Sequence, residues 1–289
     1  MRWLVTGAGG MLGRDVVARL RAVGTADADG GAVVGLTRAD LDITDAAAVA
    51  KAMADHAPDV VVNCAAYTAV DDAEEHEDAA HAINGEGPRV LAQACAERGG
   101  RLLHVSTDYV FAGDGTRPYA EDDPTGPLTA YGRTKLAGEQ AVLAALPESG
   151  TVVRTAWLYG EHGANFVRTM IRLEGERDTL EVVDDQRGQP TWTADVAEAL
   201  VALGARPDAH GVFHATSAGE ATWCDLAREV FRLLGADPER VRPTTTDKFP
   251  RPAPRPAYSV LGHDRWAELG MRPIRPWRDA LREAFAVMT

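Results

Sequence analysis

Trp3-Leu4-Val5-Thr6-Gly7-Ala8-Gly9-Gly10-Met11-Leu12-Gly13 opens the chain, and the fold turns on how it is read. Three apolar residues in a row fit a strand buried on both faces. Glycines 7, 10 and 13 follow in GxxGxxG spacing, and Val16, Val17 and Leu20 then repeat with helical period. Strand, glycine turn and helix in that order begin a dinucleotide-binding unit. One glycine makes the tight turn, one lets the backbone approach a pyrophosphate, and one lets the helix pack on the strand. The pyrophosphate would rest on free N–H groups at the helix N-terminus. An isolated glycine match is as often a turn without a ligand, but this one lies directly between strand and helix. A P-loop is excluded, because no Gly-Lys-Ser/Thr follows.

Working outward, short apolar runs recur at Ala32-Val33-Val34, Val60-Val61-Val62, Leu102-Leu103-His104-Val105 and Thr151-Val152-Val153. Alanine-rich segments of helix length lie between them, as at residues 45–56 and 88–97. This alternation predicts a doubly wound parallel sheet of Rossmann type, covered by helices on both faces. Beyond about residue 155 the rhythm changes. A further strand is expected over 180–183 and a helix over 193–203. Residues 244–256 carry prolines at 250, 252, 254 and 256, which precludes a helix and a central strand and predicts an extended loop. The expected division is a dinucleotide-binding domain over 1–155, to which 183–206 returns, and a smaller, mainly substrate-binding domain over 156–289.

Composition limits the partners. With 289 residues, 45% of them hydrophobic, the chain can bury a core without staples. A net charge of −13 argues against nucleic acid or an anionic membrane as partner. Cys64, Cys95 and Cys224 are far apart with no CxxC spacing, which fits a reducing compartment and no zinc site. No apolar stretch approaches the roughly 20 residues of a membrane span. A cytoplasmic protein is expected.

Three further places carry chemistry. The second strand, read over 32–36, ends in Thr37-Arg38, where an NAD site would place an acid for the ribose hydroxyl. A guanidinium at Arg38 suits a 2′-phosphate instead, so NADPH is the expected cofactor, with NADH possible. A solvated surface arginine would look the same. Tyr131 and Lys135 stand four apart on a helical pattern and so share one face. A nearby ammonium lowers a phenol's pKa, which would make Tyr131 an acid–base, although this spacing alone also arises by chance. Thr107, where the fourth-strand pattern ends, can hydrogen-bond a substrate oxygen, or it can serve a turn. At the third strand's end, Ala65 and Ala66 are small enough to let backbone approach a cofactor, or simply to pack tightly.

Together these residues resemble the extended short-chain dehydrogenase/reductases and, among them, the dTDP-4-dehydrorhamnose reductase family. The resemblance spans nearly the whole chain. It includes residues 59–70, 106–111, 127–139, 154–159, Asn165-Phe166, 185–191 and Arg255-Pro256 besides the glycine loop. It implies that Tyr131 protonates a C4 oxygen while nicotinamide delivers hydride. Lys135 would tune Tyr131 and hold the nicotinamide ribose, and Thr107 would polarise the oxygen. Gly10, Met11, Leu12, Asp42, Ile43, Ala66 and Tyr67 would touch the cofactor, as would Gly7 and Gly13. Asp108, Trp157, Asn165 and Arg255 would line the substrate site, with Lys248 and Arg251 beside Arg255 for a diphosphate. The implied reaction reduces dTDP-4-dehydro-6-deoxy-L-mannose to dTDP-L-rhamnose.

Two departures stand out. Ala257-Tyr258-Ser259 follows Arg255-Pro256 where the family often has Asn-Ser, and no glutamates match those that bind magnesium in some dimeric relatives. No metal is therefore expected, and a homodimer stays open. A sugar-nucleotide 4,6-dehydratase or 4-epimerase is disfavoured, because Tyr109 stands where dehydratases of the superfamily carry a glutamate base. A related 4-keto-6-deoxysugar reductase of secondary metabolism and a non-catalytic NADP-binding regulatory subunit remain as alternatives.

Overall fold

In the computed structural model, which describes residues 1–24 and 33–289, six parallel strands form one sheet. Five are β1 (Trp3–Thr6), β2 (Val33–Leu36), β3 (Val60–Asn63), β4 (Arg101–Thr107) and β5 (Gly150–Thr155), and the sixth is Gly211–His214. Their spatial order is β2, β1, β3, β4, β5 and then Gly211–His214. Ala32, read as part of the second strand, lies outside the described residues. The expected doubly wound sheet is thus present. Its inner strands β1, β3, β4 and β5 are largely buried on both faces, because helices cover each one, while β2 at the edge is half-buried.

The period of two along the strands divides the core into two layers. Leu4, Val61, Leu102 and Val152 point to one side, where Val49, Met53, Leu91 and Val142 from the covering helices meet them. Val5, Val62, Leu103 and Val153 point to the other, against Val16 and Leu20 of helix α1 (Met11–Ala22) and Leu200 of the helix Thr193–Gly204. Each such side chain contributes about 1.5–3 kcal/mol by leaving water. A third core unites Tyr159, Val167, Met170, Val230, Phe231, Trp277 and Leu281. These come from the segments after β5, chiefly the helices Phe166–Glu176, Trp223–Leu233 and Trp277–Met288.

The strand expected over 180–183 forms as Leu180–Val183 and pairs in parallel with Val241–Thr244. The proline-rich stretch begins with a short turn, Thr246–Lys248, and then runs without helix or strand to Pro256. Proline's missing N–H and fixed φ forbid a ladder there. The stretch is tied down by Ala253, whose N–H donates to Asp71 Oδ1 at 3.3 Å.

The sheet order positions the site. From β1 the chain crosses to β2 on one side, and it returns to β3 on the other. A crevice therefore opens at the carboxyl ends of β1 and β3, the usual ligand position in such sheets.

Candidate functional site

The glycine loop leaves β1 at this crevice. Gly7 has φ +66°, and a Cβ there would come 2.6 Å from Ala65 N. A Cβ on Gly13 would come 2.3 Å from Gly7 O. Both must therefore be glycine for the turn to close against β3 and for α1 to pack on it. Gly10 is the N-cap of α1, yet no side chain caps that helix and no acid occupies its first turn. The first-turn N–H groups are thus left for an anion from outside the chain.

A cavity of about 920 Å³ runs from this loop across the ends of β3, β4 and β5 to the third core. It brings together Gly10, Met11, Leu12, Gly13, Ala66, Thr107, Asp108, Tyr131, Lys135, Trp157, Arg251 and Arg255. The other expected residues lie outside its lining. Gly7 is beneath the loop, next to Ala65. Ile43 is buried against Gly87, where a Cβ would come 2.5 Å from Ile43 Cδ1. Tyr67 donates its hydroxyl to Asp72. Asn165 is the N-cap of the helix Phe166–Glu176, accepting from Arg168 N at 3.0 Å and donating to Gly160 O at 3.0 Å. Lys248 is exposed on its turn.

Arg38 is exposed beyond β2, and its charge helps hold the Asp42 carboxyl below its ordinary range, after the hydrogen bonds from Thr44. The neighbouring acid, Asp40, is folded back onto Thr37, accepting from its N–H at 2.9 Å and its hydroxyl at 2.6 Å. Both carboxylates are thus engaged locally, and the guanidinium is the group that projects.

Tyr131 lies in the first turn of the helix Ala130–Ala145, which Thr129 caps by accepting from Gly132 N at 3.0 Å. Its ring meets Tyr109 edge to face, with centroids 5.7 Å apart. Although the side chain keeps some surface on the cleft, burial pushes its pKa up to about 12, against a lowering by the Thr107 hydroxyl. This corrects the expectation that Lys135 would pull the phenol down. The Lys135 ammonium group instead turns inward, donating to Val105 O at 2.7 Å and meeting His104 Nε2 at 3.2 Å. Burial lowers its own pKa to about 8, opposed by Glu139 and Cys64.

Asp108 is buried, which raises its pKa to about 6, and its Oδ1 accepts from Thr107 Oγ1 at 3.0 Å. A hydrogen bond from Ser259 partly offsets the rise, whereas Ser106 Oγ and Thr155 Oγ1 are buried without a hydrogen-bond partner among the described residues. Two unpaired polar atoms on residues of one cavity wall point to a polar ligand, because each such atom costs about 1–3 kcal/mol when left unmet. Arg255 pairs with Asp71 at 2.8 Å. The far wall is aromatic. Trp157, at the unusual φ of +47°, stacks on Trp223 with centroids 3.6 Å apart and planes 7° from parallel. Phe166, Met170 and Gln186 complete it, and Gln186 accepts from Trp223 Nε1 at 3.1 Å.

Sequence reading gave no site role to Trp223, Phe166, Met170 or Gln186, although Phe166 and Gln186 lie in stretches that carry the resemblance; the fold gathers all four with Trp157 around one cavity. Trp223 carried a partial signal: it follows Thr222, whose capping box with Asp225 opens the next helix. Among the described residues no group of three or more His, Cys, Asp or Glu is placed to hold a metal ion, and no helix is long and apolar enough to cross a membrane.

This geometry agrees with what the chain is similar to. The family described as RmlD substrate binding domain matches residues 1–289. A probable dTDP-4,6-dihydroxy-2-methyloxan-3-one 4-ketoreductase of Streptomyces antibioticus is 61% identical, over 99% of this chain and 95% of that one. The dTDP-4-dehydrorhamnose reductase of Streptomyces griseus is 60% identical, over 99% and 94%. The crystal structure of dTDP-4-dehydrorhamnose reductase from Bacillus anthracis in complex with NADP superposes with a TM-score of 0.92 at 35% identity, covering 99% of this chain and 98% of that one. A full-length family match and such relatives leave one assignment: the chain belongs to the RmlD family, the dTDP-4-dehydrorhamnose reductases of the extended short-chain dehydrogenase/reductase superfamily.

Proposed function

We propose that this protein reduces the C4 keto group of dTDP-4-dehydrorhamnose to give dTDP-L-rhamnose, with NADPH as reductant and Tyr131 as proton donor. As a member of its family it is an NAD(P)H-dependent oxidoreductase. The observation that carries the finer reading is that Tyr131, Thr107 and Lys135 line the same cavity as the glycine loop and Trp157. A proton donor, a dinucleotide cradle and an aromatic wall thus converge on one space.

The residues fit NADPH. The α1 N-terminus and the backbone of Gly10–Gly13 would hold its pyrophosphate, Arg38 its 2′-phosphate, and Lys135 its nicotinamide ribose. When bound, it supplies the hydride for C4. The rest falls to the chain. With a pKa near 12, Tyr131 carries its proton at neutral pH, as a donor in the reductive direction must. Thr107 hydrogen-bonds the same carbonyl oxygen and then the phenolate. Asp108 and Trp157 orient the sugar. Arg255, releasing Asp71, and Arg251 meet the diphosphate. In this reading, residues 1–155 with 183–206 serve the cofactor, the remaining C-terminal part serves the sugar nucleotide, and the work is done in the cytoplasm.

A second reading is favoured by one observation: the relative at 61% identity bears the name of a different 4-ketoreductase. The substrate would then be another dTDP-linked 4-keto-6-deoxysugar. Steady-state assay with NADPH and each keto sugar, with NMR of the product, separates the two. dTDP-L-rhamnose is the expected product. Preferential turnover of another dTDP-linked 4-keto-6-deoxysugar would establish the second reading, and no NADPH oxidation with either sugar would defeat both.

Arg38→Ala is expected to weaken NADPH and spare NADH. Loss of a charge-assisted hydrogen bond is worth about 1.5–3 kcal/mol, or roughly 10- to 150-fold in kcat/KM for NADPH. Equal efficiency with both cofactors in the unmodified protein would remove Arg38 from this role.

A further inference from the structure

Beneath the cleft, a chain of buried polar side chains crosses the sheet from β1 to the helix Ala130–Ala145. Thr6 Oγ1 donates to Asn63 Oδ1 at 2.6 Å, Asn63 Nδ2 lies 3.0 Å from His104 Nδ1, and His104 Nε2 lies 3.2 Å from Lys135 Nζ. All four residues are almost fully buried. The proposed reaction assigns no role to Asn63 or His104.

Donor and acceptor counting fixes the protons. The Ala65 N–H donates to Asn63 Oδ1 at 3.1 Å. A backbone N–H can only donate, so the amide oxygen of Asn63 faces Ala65 and its NH₂ faces the imidazole. His104 Nδ1 must then be the bare, accepting nitrogen. In a neutral imidazole the proton therefore sits on Nε2, and Nε2–H points at Lys135 Nζ. An ammonium there would set donor against donor. A neutral amine would accept from Nε2–H and still donate to Val105 O, which is 2.7 Å away.

We propose that His104, held in this tautomer by Asn63, is a positioning residue that disfavours the ammonium form of Lys135 in the ligand-free protein and so eases its deprotonation. Protonation of Lys135 is then coupled to what arrives on its cleft side, a ribose hydroxyl or the Tyr131 phenolate. The other charged and titratable groups around Lys135 are Tyr131 and Glu139 on its own helix and Cys64 after β3, with Arg154 of β5 pairing Glu139. Burial opposes the ammonium, while Glu139 and Cys64 favour it; the Nε2–H of His104, 3.2 Å from Nζ, adds to the opposition. The sign is set by desolvation, consistent with a lysine titrating near 8 and a histidine held neutral far below its ordinary range.

The catalytic consequence rests on the reductase reading, but the titration does not, and the two are tested apart. The chain has three lysines, Lys51, Lys135 and Lys248, and the other two are exposed. Lysine labelled with ¹³C at Cε therefore gives three NMR signals, assigned by Lys51→Arg and Lys248→Arg. In cofactor-free protein one signal should titrate near pH 8, and ¹⁵N shifts should report His104 protonated at Nε2. In Asn63→Asp the carboxylate accepts from Nδ1–H, which leaves Nε2 as an acceptor for an ammonium. The Lys135 midpoint should then rise by about one unit or more, tenfold in the equilibrium. A proton on Nδ1 in the unmodified protein, or a Lys135 midpoint near the ordinary value of about 10.4, would overturn the proposal even if the variant failed to fold. An unmoved midpoint in a folded Asn63→Asp would do the same. Absence of turnover with these titrations intact would count against the reductase reading alone.

Discussion

Tyr131→Phe is expected to lower kcat by about 10²- to 10⁴-fold, the usual worth of a positioned general acid. NADPH affinity, read by fluorescence titration, should stay within a few-fold. The substitution deletes one hydroxyl and keeps the ring, so the edge-to-face contact with Tyr109 survives. The pKa near 12 makes the argument directional. A phenol at that value is fully protonated at working pH, and a reduction consumes that proton. The transition state would lose both the donated proton and the stabilisation of the developing oxyanion. Water reaching the C4 oxygen could replace the proton but not its position, because Thr107 and buried Asp108 surround the site. Turnover within a few-fold of the unmodified protein would make Tyr131 a packing residue and move the proton donor elsewhere.

How far the amino-acid sequence reveals this site depends on the kind of physics involved. Steric necessity is local and therefore legible. Glycines 7 and 13 announce a turn because any Cβ would strike neighbouring backbone. The strands β1, β3, β4 and β5 announce themselves because burial on both faces demands unbroken apolar runs. Helical spacing is enough to bring Tyr131 and Lys135 to one cleft. It does not say where an ammonium at the end of four methylenes will point. Lys135 turns to Val105 O and His104, and the phenol responds to burial instead of to the ammonium. Trp223 meets Trp157 across 66 residues of chain, a distance at which periodicity carries no information. Asn165 shows the opposite case. An Asn directly before a helical pattern is a strong N-cap signal, and capping is the duty its side chain performs here. The strand Gly211–His214 escaped notice because four residues beginning with glycine give too short a pattern to separate from a turn.

Glu139→Ala is expected to destabilise the fold by about 3–5 kcal/mol, read as a lower midpoint of urea unfolding. Glu139 and Arg154 pair at 2.8 Å with side chains only 2% and 4% exposed. Arg154 also donates through Nε to Glu139 at 3.0 Å and through Nη1 to Glu121 O at 3.3 Å, and its guanidinium lies 4.9 Å from the Phe111 ring centre. Removing the carboxylate leaves a guanidinium with one carbonyl, the His214 imidazole at 3.4 Å and the Phe111 ring, in a space that water enters poorly. That uncompensated charge, more than the lost attraction, is what destabilises. The pair also links the helix carrying Tyr131 and Lys135 to β5, whose end leads into Trp157. The sharper test is therefore the double variant, Glu139→Leu with Arg154→Met. It removes both charges and fills similar volume, and such replacements of buried pairs are often neutral. Most of the lost stability should return. A single variant within about 1 kcal/mol of the unmodified protein, the range of an exposed pair, would mean that solvent reaches Arg154. A double variant as unstable as the single would mean that the pair's geometry, not its charge, holds the helix to the sheet.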